Sequence, residues 1–286
     1  MSFRTVVIKN RSKLDLHMNY LVCRNNEETR VYIPEISVLI LESTAISLTT
    51  ALISELVKNN VKIIFCDERH NPESEVMPFY GSYNSLDSIN KQIKWKKDNK
   101  EKVWTYIIHQ KIKKQKEFLF DLGKIQEANL LASYMEEIEL NDSTNREGHA
   151  AKVYFNAVWG LDFTRRNDDF VNGALNYGYA ILLACFNRAL SSKGYLTQLG
   201  IWHKNEFNEF NLACDLMEPF RILIDRIVFQ ISNDDQNFKS KIREIFELKV
   251  RIGGKEQYFE NAISIYIQSV LDALEDGEIN RIKVYE

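Results

Sequence analysis

Several features that would place this chain in a membrane or outside the cell are missing from its 286 residues. No apolar run approaches the roughly 20 residues that span a bilayer, and the opening MSFRTVVIKN lacks the apolar core of a signal peptide. The scattered cysteines contain no Cys-x-x-Cys pair, which argues against a zinc motif or a disulfide framework. We therefore expect a cytoplasmic protein with no membrane contact.

Positive charge is concentrated in one segment, although the net charge of the chain is -3. Between residues 91 and 117, ten lysines face three acidic residues, and the local excess of about seven positive charges attracts phosphate. The apolar residues of this segment predict a partly buried helix, so the lysines could simply be its solvated face. The alternative is that Lys94, Lys96 and Lys97 neutralise the phosphates of nucleic acid.

The amino-terminal part of the chain is predicted to be rich in β-strands. Alternating or β-branched runs predict strands at residues 6–8, 14–23, 30–33, 38–41 and 61–66, and the apolar spacing of residues 47–58 predicts one helix. We predict a small β-sandwich-like domain over residues 1–72. Proline, glycine, serine and asparagine then crowd together, which indicates a linker over residues 73–88.

The remainder, residues 89–286, is predicted to be a larger, all-α-helical catalytic domain, which makes the fold class α+β. Helical periodicity covers residues 89–120, 125–138, 150–158, 170–190, 212–231, 238–248 and 258–274. Asp168 or Asp169 is the predicted N-cap of the fourth of these helices. The lone Gly253-Gly254 pair predicts a turn, and no GxxxxGK phosphate-binding loop is present.

The stretch around His203 carries the most chemistry. Asp215 and Glu218 follow it and lie three residues apart on a predicted helix, so their carboxylates share one face. With one further carboxylate, these groups would suit a divalent cation such as Mg²⁺ or Mn²⁺. Pro219 removes a helix hydrogen bond and predicts a kink beside Glu218.

Glu147 has two interpretations. Thr144 and Glu147 have the spacing of a capping box, in which the two side chains satisfy free backbone amides at a helix start. A carboxylate at a helix entrance can also point at a metal. Arg165 and Arg166, which precede the helix at 170–190, are either surface charge or phosphate contacts.

Four motifs in order, REGHAAKVYF, RRNDDFVNGALNYGYAIL, GYLTQLGIWH and NLACDLMEPFR, resemble the CRISPR-associated Cas1 integrase family of the spacer-acquisition complex. The amino-terminal segments IPEISVLILES and NNVKIIFCDERHNP resemble the type II branch of that family. The resemblance covers nearly the whole chain. It implies an amino-terminal β domain, an α-helical catalytic domain, a homodimer, and a hetero-hexameric complex in which two such dimers flank a dimer of the partner Cas2.

The resemblance also assigns roles to residues. The metal ligands and catalytic groups of the family fall on Glu147, His203 and Glu218, although many relatives carry aspartate at the last position. Asp215 is a ligand, an acceptor for His203 or a structural acid, and the role of acceptor ranks first. Arg221 joins Arg165, Arg166 and the three lysines as a predicted DNA contact.

Three functions remain open from the sequence. The first is insertion of short double-stranded DNA fragments into a CRISPR array, in which a 3′ hydroxyl attacks a phosphodiester with the help of Mg²⁺ or Mn²⁺. The second is a metal-dependent nuclease acting on branched or single-stranded DNA with the same ligands. The third is a DNA-binding scaffold without catalysis. The first two differ only in the attacking group, which the sequence does not reveal.

Overall fold

The computed structural model describes residues 4–76, 84–232 and 235–286. The chain divides into two compact units, Met1–Gly81 and Ser82–Glu286. Of the predicted linker at 73–88, residues 77–83 lie outside the described residues, whereas residues 73–75 belong to a strand and 85–88 to a helix. Among the described residues, no helix is both long and apolar enough to cross a membrane.

The described residues of the first unit form two four-stranded sheets and one α-helix. Its elements are β1 (Arg4–Ile8), β2 (Ser12–His17), β3 (Tyr20–Arg24), β4 (Glu28–Tyr32), β5 (Ile36–Leu41), β6 (Ile46–Leu48), α1 (Thr50–Lys58), β7 (Lys62–Cys66) and β8 (Pro72–Glu75). One sheet has the order β1-β5-β7-β8 and the other the order β4-β3-β2-β6. In the first sheet, β5 is central and parallel to both β1 and β7.

Apolar side chains of both sheets and of α1 form one core, which confirms the predicted β-rich domain. Every residue of β5 is buried, and Leu14, Leu21, Leu52 and Ile63 are fully buried with it. The run at 14–23 was predicted as one strand, but it is divided between β2 and β3. Met18, with φ of 53°, turns the chain between them. The alternation continues through the turn, so the pattern conceals the break.

The second unit is mainly helical, as predicted. Its helices are α2 (Ser85–Ile93), α3 (Lys97–Asp121), α4 (Ile125–Glu136), α5 (Arg146–Trp159), α6 (Phe170–Ser192), α7 (Asn211–Leu216), α8 (Arg221–Phe229), α9 (Phe238–Arg243) and α10 (Phe259–Asp276). Asp169 is the N-cap of α6, since its carboxylate accepts from the backbone N–H of Asn172 over 2.8 Å. This confirms the predicted cap.

A hairpin corrects the all-helical expectation for this unit. Strands β9 (Lys249–Ile252) and β10 (Lys255–Tyr258) pair in antiparallel fashion. The predicted turn at Gly253-Gly254 joins them, with φ of 58° and 76°, the left-handed conformation that tight hairpin turns require. Each strand has only four residues, which is too short for its alternation to stand out from the neighbouring helical pattern.

Helices α3, α6 and α8 hold the elements that carry the candidate site. Val103, Ile107, Ile108 and Ile112 of α3 are fully buried. Helices α6 and α8 pack so closely that a Cβ on Gly178 would lie 2.3 Å from Cγ2 of Ile224. Only glycine allows that approach.

Candidate active site

Two of the predicted site carboxylates converge on one ammonium group. Nζ of Lys111, on α3, lies 2.5 Å from Oε1 of Glu147 and 2.5 Å from Oε2 of Glu218. On its other side, Oε1 of Glu218 accepts from Nε of Arg221 over 2.9 Å. These side chains line a pocket of about 250 Å³ together with Tyr179 and others. Acid and base therefore alternate along the chain of contacts from Glu147 through Lys111 and Glu218 to Arg221.

The charges in this cluster stabilise one another. Burial opposes the charge of Lys111, but Glu218 and Glu147 outweigh that cost and raise the pKa of its ammonium group. Burial also opposes the charge of Glu218, yet Arg221 and Lys111 hold the pKa of that carboxyl at about 2. Because the pKa is depressed, the contribution of Glu218 to stability is present above its ordinary pKa and is lost as the pH falls towards 2.

The turn before α5 places Glu147. The backbone N–H groups of Arg146 and Glu147 donate to the carboxylate of Asp142 over 2.8 and 3.1 Å. The predicted capping box is therefore wrong, because the hydroxyl of Thr144 instead donates to the carbonyl of Glu137. Asp142 and Asn145 both have positive φ, at 50° and 53°, and this tight turn brings a more distant acid to the helix start.

Asp215 orients His203. Its side chain is fully buried, and Oδ1 lies 2.5 Å from Nδ1 of the His203 ring. The same carboxylate accepts from the backbone N–H groups of Ile201, Trp202 and His203 at 2.6, 2.9 and 3.2 Å. Since Nδ1 is engaged, Nε2 is the ring nitrogen left to face a ligand. This arrangement matches the role of acceptor that the sequence ranked first for Asp215.

Glycine and proline shape the backbone on either side of this pair. A Cβ on Gly200 would lie 2.5 Å from the carbonyl oxygen of His203 and 2.8 Å from Oδ2 of Asp215, so the loop can close over Asp215 only with glycine there. Pro219 interrupts the predicted helix at 212–231, and Glu218–Phe220 forms a 3₁₀ turn between α7 and α8. The predicted kink is therefore confirmed.

The hydrogen bond to Asp215 raises the pKa of the His203 ring against the opposing effect of burial, and Glu218 and Glu147 add to the increase. Both carboxylates therefore act on the ring electrostatically. As they stand, no three His, Cys, Asp or Glu side chains in the described parts of the chain are placed to hold a metal ion. An ammonium group lies where the two glutamates converge.

The donor set nevertheless fits a hard divalent cation. Oε2 of Glu218 is buried and has no hydrogen bond of good geometry, although Lys111 Nζ is only 2.5 Å away. The ion pair holds without that hydrogen bond, because charge attraction depends on distance more than on direction. The two carboxylate oxygens that lie against the Lys111 ammonium group are ligands that Mg²⁺ or Mn²⁺ accepts, and so is the His203 imidazole, which is in electrostatic range of both glutamates.

The sequence did not single out Lys111. It counted this residue within the lysine-rich segment, whose charges were interpreted as a solvated face or as phosphate contacts. A signal was present, since Lys111 follows Trp104 and Ile107 by seven and four residues and so lies on the buried face of α3. A lysine on such a face needs a buried acid as its partner.

The predicted DNA contacts lie in different surroundings. Lys94, Lys96 and Lys97 are exposed where α2 ends and α3 begins, and Arg166 is exposed before α6. Arg165 is half-buried, and its guanidinium donates to Asn172 and to Asn176. Arg221 is directed at Glu218 within the pocket. The structure thus brings the two arginines 165 and 221 to the candidate site and leaves the other four basic residues on the surface.

A further buried acid, Asp225, also lines the pocket. Asp225 of α8 accepts from the hydroxyls of Tyr154 over 2.9 Å and of Tyr179 over 2.5 Å. The guanidinium of Arg221 lies 4.7 Å from the centre of the Tyr179 ring, and that of Arg165 lies 5.4 Å from it. Asp225 therefore fixes the aromatic ring on which both arginines rest.

We expect Asp225→Asn to change the pH dependence of stability. Burial raises the pKa of Asp225 from 3.8 to about 6, although both tyrosine hydroxyls oppose the shift. A raised carboxyl pKa gives stability that is present below 3.8 and is lost as the pH rises through about 6. The free energy of unfolding of the variant, relative to wild type, should therefore increase by about 3 kcal/mol between about pH 4 and about pH 7.

Urea unfolding at a series of pH values measures this difference. Asp162→Asn, which changes an exposed aspartate, is the control and should follow the wild-type profile. A constant difference between Asp225→Asn and wild type across this range would show that Asp225 is charged throughout.

The sequence model of the family described as CRISPR associated protein Cas1 matches residues 5–251. The chain belongs to the Cas1 family. The match spans most of the β-rich unit and the helix, loop and turn that carry Glu147, His203 and Glu218, so the predicted family membership is confirmed.

Individual relatives agree with this. The chain is 34% identical over 232 residues to the CRISPR-associated endonuclease Cas1 of Neisseria meningitidis serogroup C (strain 8013), covering 81% of this chain and 76% of that protein. Its fold is similar to a casposase bound to integration product, with a TM-score of 0.78, 20% identity, and coverage of 97% and 92%.

The fold is also similar to a chain of the Cas6-RT-Cas1–Cas2 complex, with a TM-score of 0.78 and 17% identity. This Cas1 chain is covered over 98% of its length but spans only 36% of that longer chain. At such identities the two structures show a shared fold. Assignment of this Cas1 protein to the type II branch remains a prediction.

Proposed function

We propose that this Cas1 protein inserts short DNA fragments into a CRISPR array by attack of a 3′ hydroxyl on a phosphodiester of the repeat. The observation that carries the proposal is the convergence of Glu147 and Glu218 on one cation position, in electrostatic range of a histidine whose ring is oriented by Asp215. The similarity of the fold to a casposase bound to integration product supports the same chemistry.

The reaction exchanges one phosphodiester for another. The attacking 3′ oxygen forms a bond to phosphorus and loses its proton, while the bond to the leaving 3′ oxygen breaks and that oxygen gains a proton. No net high-energy bond is consumed, which agrees with the absence of a GxxxxGK loop. A hydrolytic reaction at the same site would replace the hydroxyl with water.

Each side chain of the site has a task in this reaction. Glu147, Glu218 and Nε2 of His203 would hold a Mg²⁺ or Mn²⁺ ion, which supplies charge stabilisation for the phosphate and lowers the pKa of the attacking hydroxyl. Asp215 holds Nδ1 of the ring, which leaves Nε2 free to bind the ion. Arg221 and Arg165, which rest on Tyr179, supply positive charge at the pocket wall.

We also propose the assembly that the resemblance implies. The protein acts as a homodimer, and two dimers flank a dimer of Cas2 in a hetero-hexamer on double-stranded DNA. The Cas6-RT-Cas1–Cas2 complex, one chain of which has the same fold, includes Cas2 as a component and supports this partner. Because the substrate is the chromosomal array, the proposed location is the cytoplasm.

A strand-transfer assay tests this function. Purified protein, with and without Cas2, receives a labelled duplex with free 3′ hydroxyls, a plasmid carrying its own repeat array, and Mg²⁺, Mn²⁺ or chelator. Label joined to the plasmid only in the presence of metal supports integration. Cleavage without joining supports the nuclease, and neither activity despite DNA binding supports the scaffold.

The exposed lysines at the start of α3 give a separate prediction. If Lys94, Lys96 and Lys97 contact phosphate, replacing all three with glutamine should reduce the slope of log affinity against log salt by about 2 to 3. Each phosphate contact that is lost lowers the magnitude of this slope by close to one, because binding then releases one counterion fewer. Fluorescence anisotropy of labelled duplex over a range of salt concentrations measures it.

A charge-matched control is available in the same unit. Lys249, Lys255 and Lys283 are also exposed, and their replacement by glutamine changes the net charge equally. This control should leave the slope unchanged. Equal slopes for both triple variants would show that Lys94, Lys96 and Lys97 form a solvated face and do not contact phosphate.

A further inference from the structure

An exposed tryptophan adjoins the candidate site. Trp202, directly before His203, is 40% exposed, whereas Trp104 of α3 is 2% exposed. Their rings are stacked, with centroids 5.6 Å apart and planes 6° from parallel. Trp104 also meets the His203 ring edge-on at 5.9 Å. One face of Trp202 is thus stacked on a buried ring, and 40% of the residue is open to solvent next to the proposed metal ligand.

The position of Trp202 is fixed before any substrate binds. Its backbone N–H donates to the buried carboxylate of Asp215, which also holds the His203 ring. An exposed aromatic residue with a flexible backbone would lose conformational entropy on binding. Here the backbone hydrogen bond and the stacking on Trp104 already restrict it, so little entropy remains to be lost.

The surroundings of Trp202 favour a negatively charged ligand. Trp202 lines a groove of about 510 Å³ with Lys97, Lys100, Lys204 and Glu101, so three cations face one acid. Lys97 pairs with Glu101 over 3.5 Å. Lys100 and Lys204 form no ion pair with any residue that the structure describes. Burial and then the nearby charge of Lys204 lower the pKa of Lys100, whereas the charge of Asp215 opposes the shift.

We propose that Trp202 is a stacking platform for an unpaired nucleobase of the DNA strand whose phosphodiester backbone lies at His203, with Lys100 and Lys204 contacting the adjoining phosphates. An aromatic ring that is partly open to solvent, beside cations that form no ion pair, is the combination that binds single-stranded DNA. Stacking tolerates any base, so the platform holds the strand in position without reading its sequence. This inference rests on the proposed function and adds a subsite to it.

An abasic scan combined with variants tests the platform. The probe is a labelled duplex with single-stranded 3′ tails, in which each tail nucleotide is replaced in turn by an abasic one. For wild-type protein, one position should weaken binding by roughly 5- to 100-fold. Trp202→Ala should lose the same factor on the intact probe and should no longer respond to the abasic nucleotide at that position. Trp202→Phe should retain most of the affinity.

Phe207→Ala is the matched control. Phe207 is 94% exposed, lies in the same loop, and has no ring contact with the described residues. It should bind the intact probe as wild type does. Lys204→Gln should lower the salt slope, whereas Trp202→Ala should leave that slope unchanged.

The outcomes separate the platform from the proposed function. Equal binding of Trp202→Ala and wild type, or additive effects of Trp202→Ala and the abasic nucleotide, would reject the platform, and strand transfer by wild type would then still support the function. Loss of Cas2 binding, rather than of DNA binding, in Trp202→Ala would assign the surface to a protein partner and also reject the platform. If Trp202→Ala fails to fold, the abasic scan on wild type and on Trp202→Phe still decides the question.

Discussion

Alanine at Glu147, His203 or Glu218 is expected to reduce strand transfer by on the order of 10³-fold or more while DNA binding persists. Glu147 and Glu218 converge on one point, and His203 acts electrostatically with both, so each would supply part of one cation site. Loss of any ligand weakens the cation that stabilises the charged transition state. The measurement is the yield of label joined to plasmid, alongside anisotropy for binding.

Two controls accompany these variants. Glu218 is buried and paired with Arg221, so Glu218→Gln, which keeps the side-chain volume, is tested together with Glu218→Ala. Glu244→Ala removes an exposed acid and should leave strand transfer unchanged. Full activity in any one of the three site variants would remove that residue from the metal site. Parallel loss of DNA binding and activity would favour the scaffold.

Lys111→Met is expected to destabilise the metal-free protein by about 3 kcal/mol, because it leaves two carboxylates without the buried ammonium group between them. Arg221 still pairs with Glu218, which limits the loss. The position that Lys111 vacates is where we propose the cation binds. Added Mn²⁺ should therefore raise the stability of Lys111→Met more than that of wild type.

Chemical unfolding with and without Mn²⁺ measures both effects. Lys114→Met is the matched control, because Lys114 is also buried on α3 but pairs with a single acid, Glu117, over 2.9 Å. It should lose less stability and should not respond to Mn²⁺. An equal effect of Mn²⁺ on wild type and Lys111→Met would show that the lysine and the metal do not compete for the two glutamates.

The sequence anticipated much of the architecture because periodicity is a local property. Strands β1, β5 and β7 and helix α1 lie where alternation and apolar spacing predicted them, and Pro219 breaks its helix as its missing N–H requires. The prediction failed where two elements share one pattern. Residues 89–120 were predicted as one helix, but the chain breaks at Lys94 and Lys96, between α2 and α3, to bury Trp95.

The sequence also supplied a hypothesis for the chemistry of the site. Asp215 and Glu218, three residues apart after His203, predicted a divalent-cation site, but the structure places Asp215 against the His203 ring and Glu218 against Lys111. Four ordered motifs sufficed to identify the family. These conclusions need only the identity and spacing of side chains along the chain.

Contacts between distant segments were decided by the tertiary structure alone. The cap of α5 comes from Asp142, because a turn with positive φ folds its carboxylate back, and no spacing rule contains that turn. Lys111 lies 36 residues before Glu147 in the chain, and only the packing of α3 against α5 and the Glu218–Phe220 turn brings its ammonium group to both glutamates. The sequence identified the acids and the histidine of the candidate site, and the fold decided that Glu147 and Glu218 both pair with Lys111, because electrostatic pairing depends on distance in space.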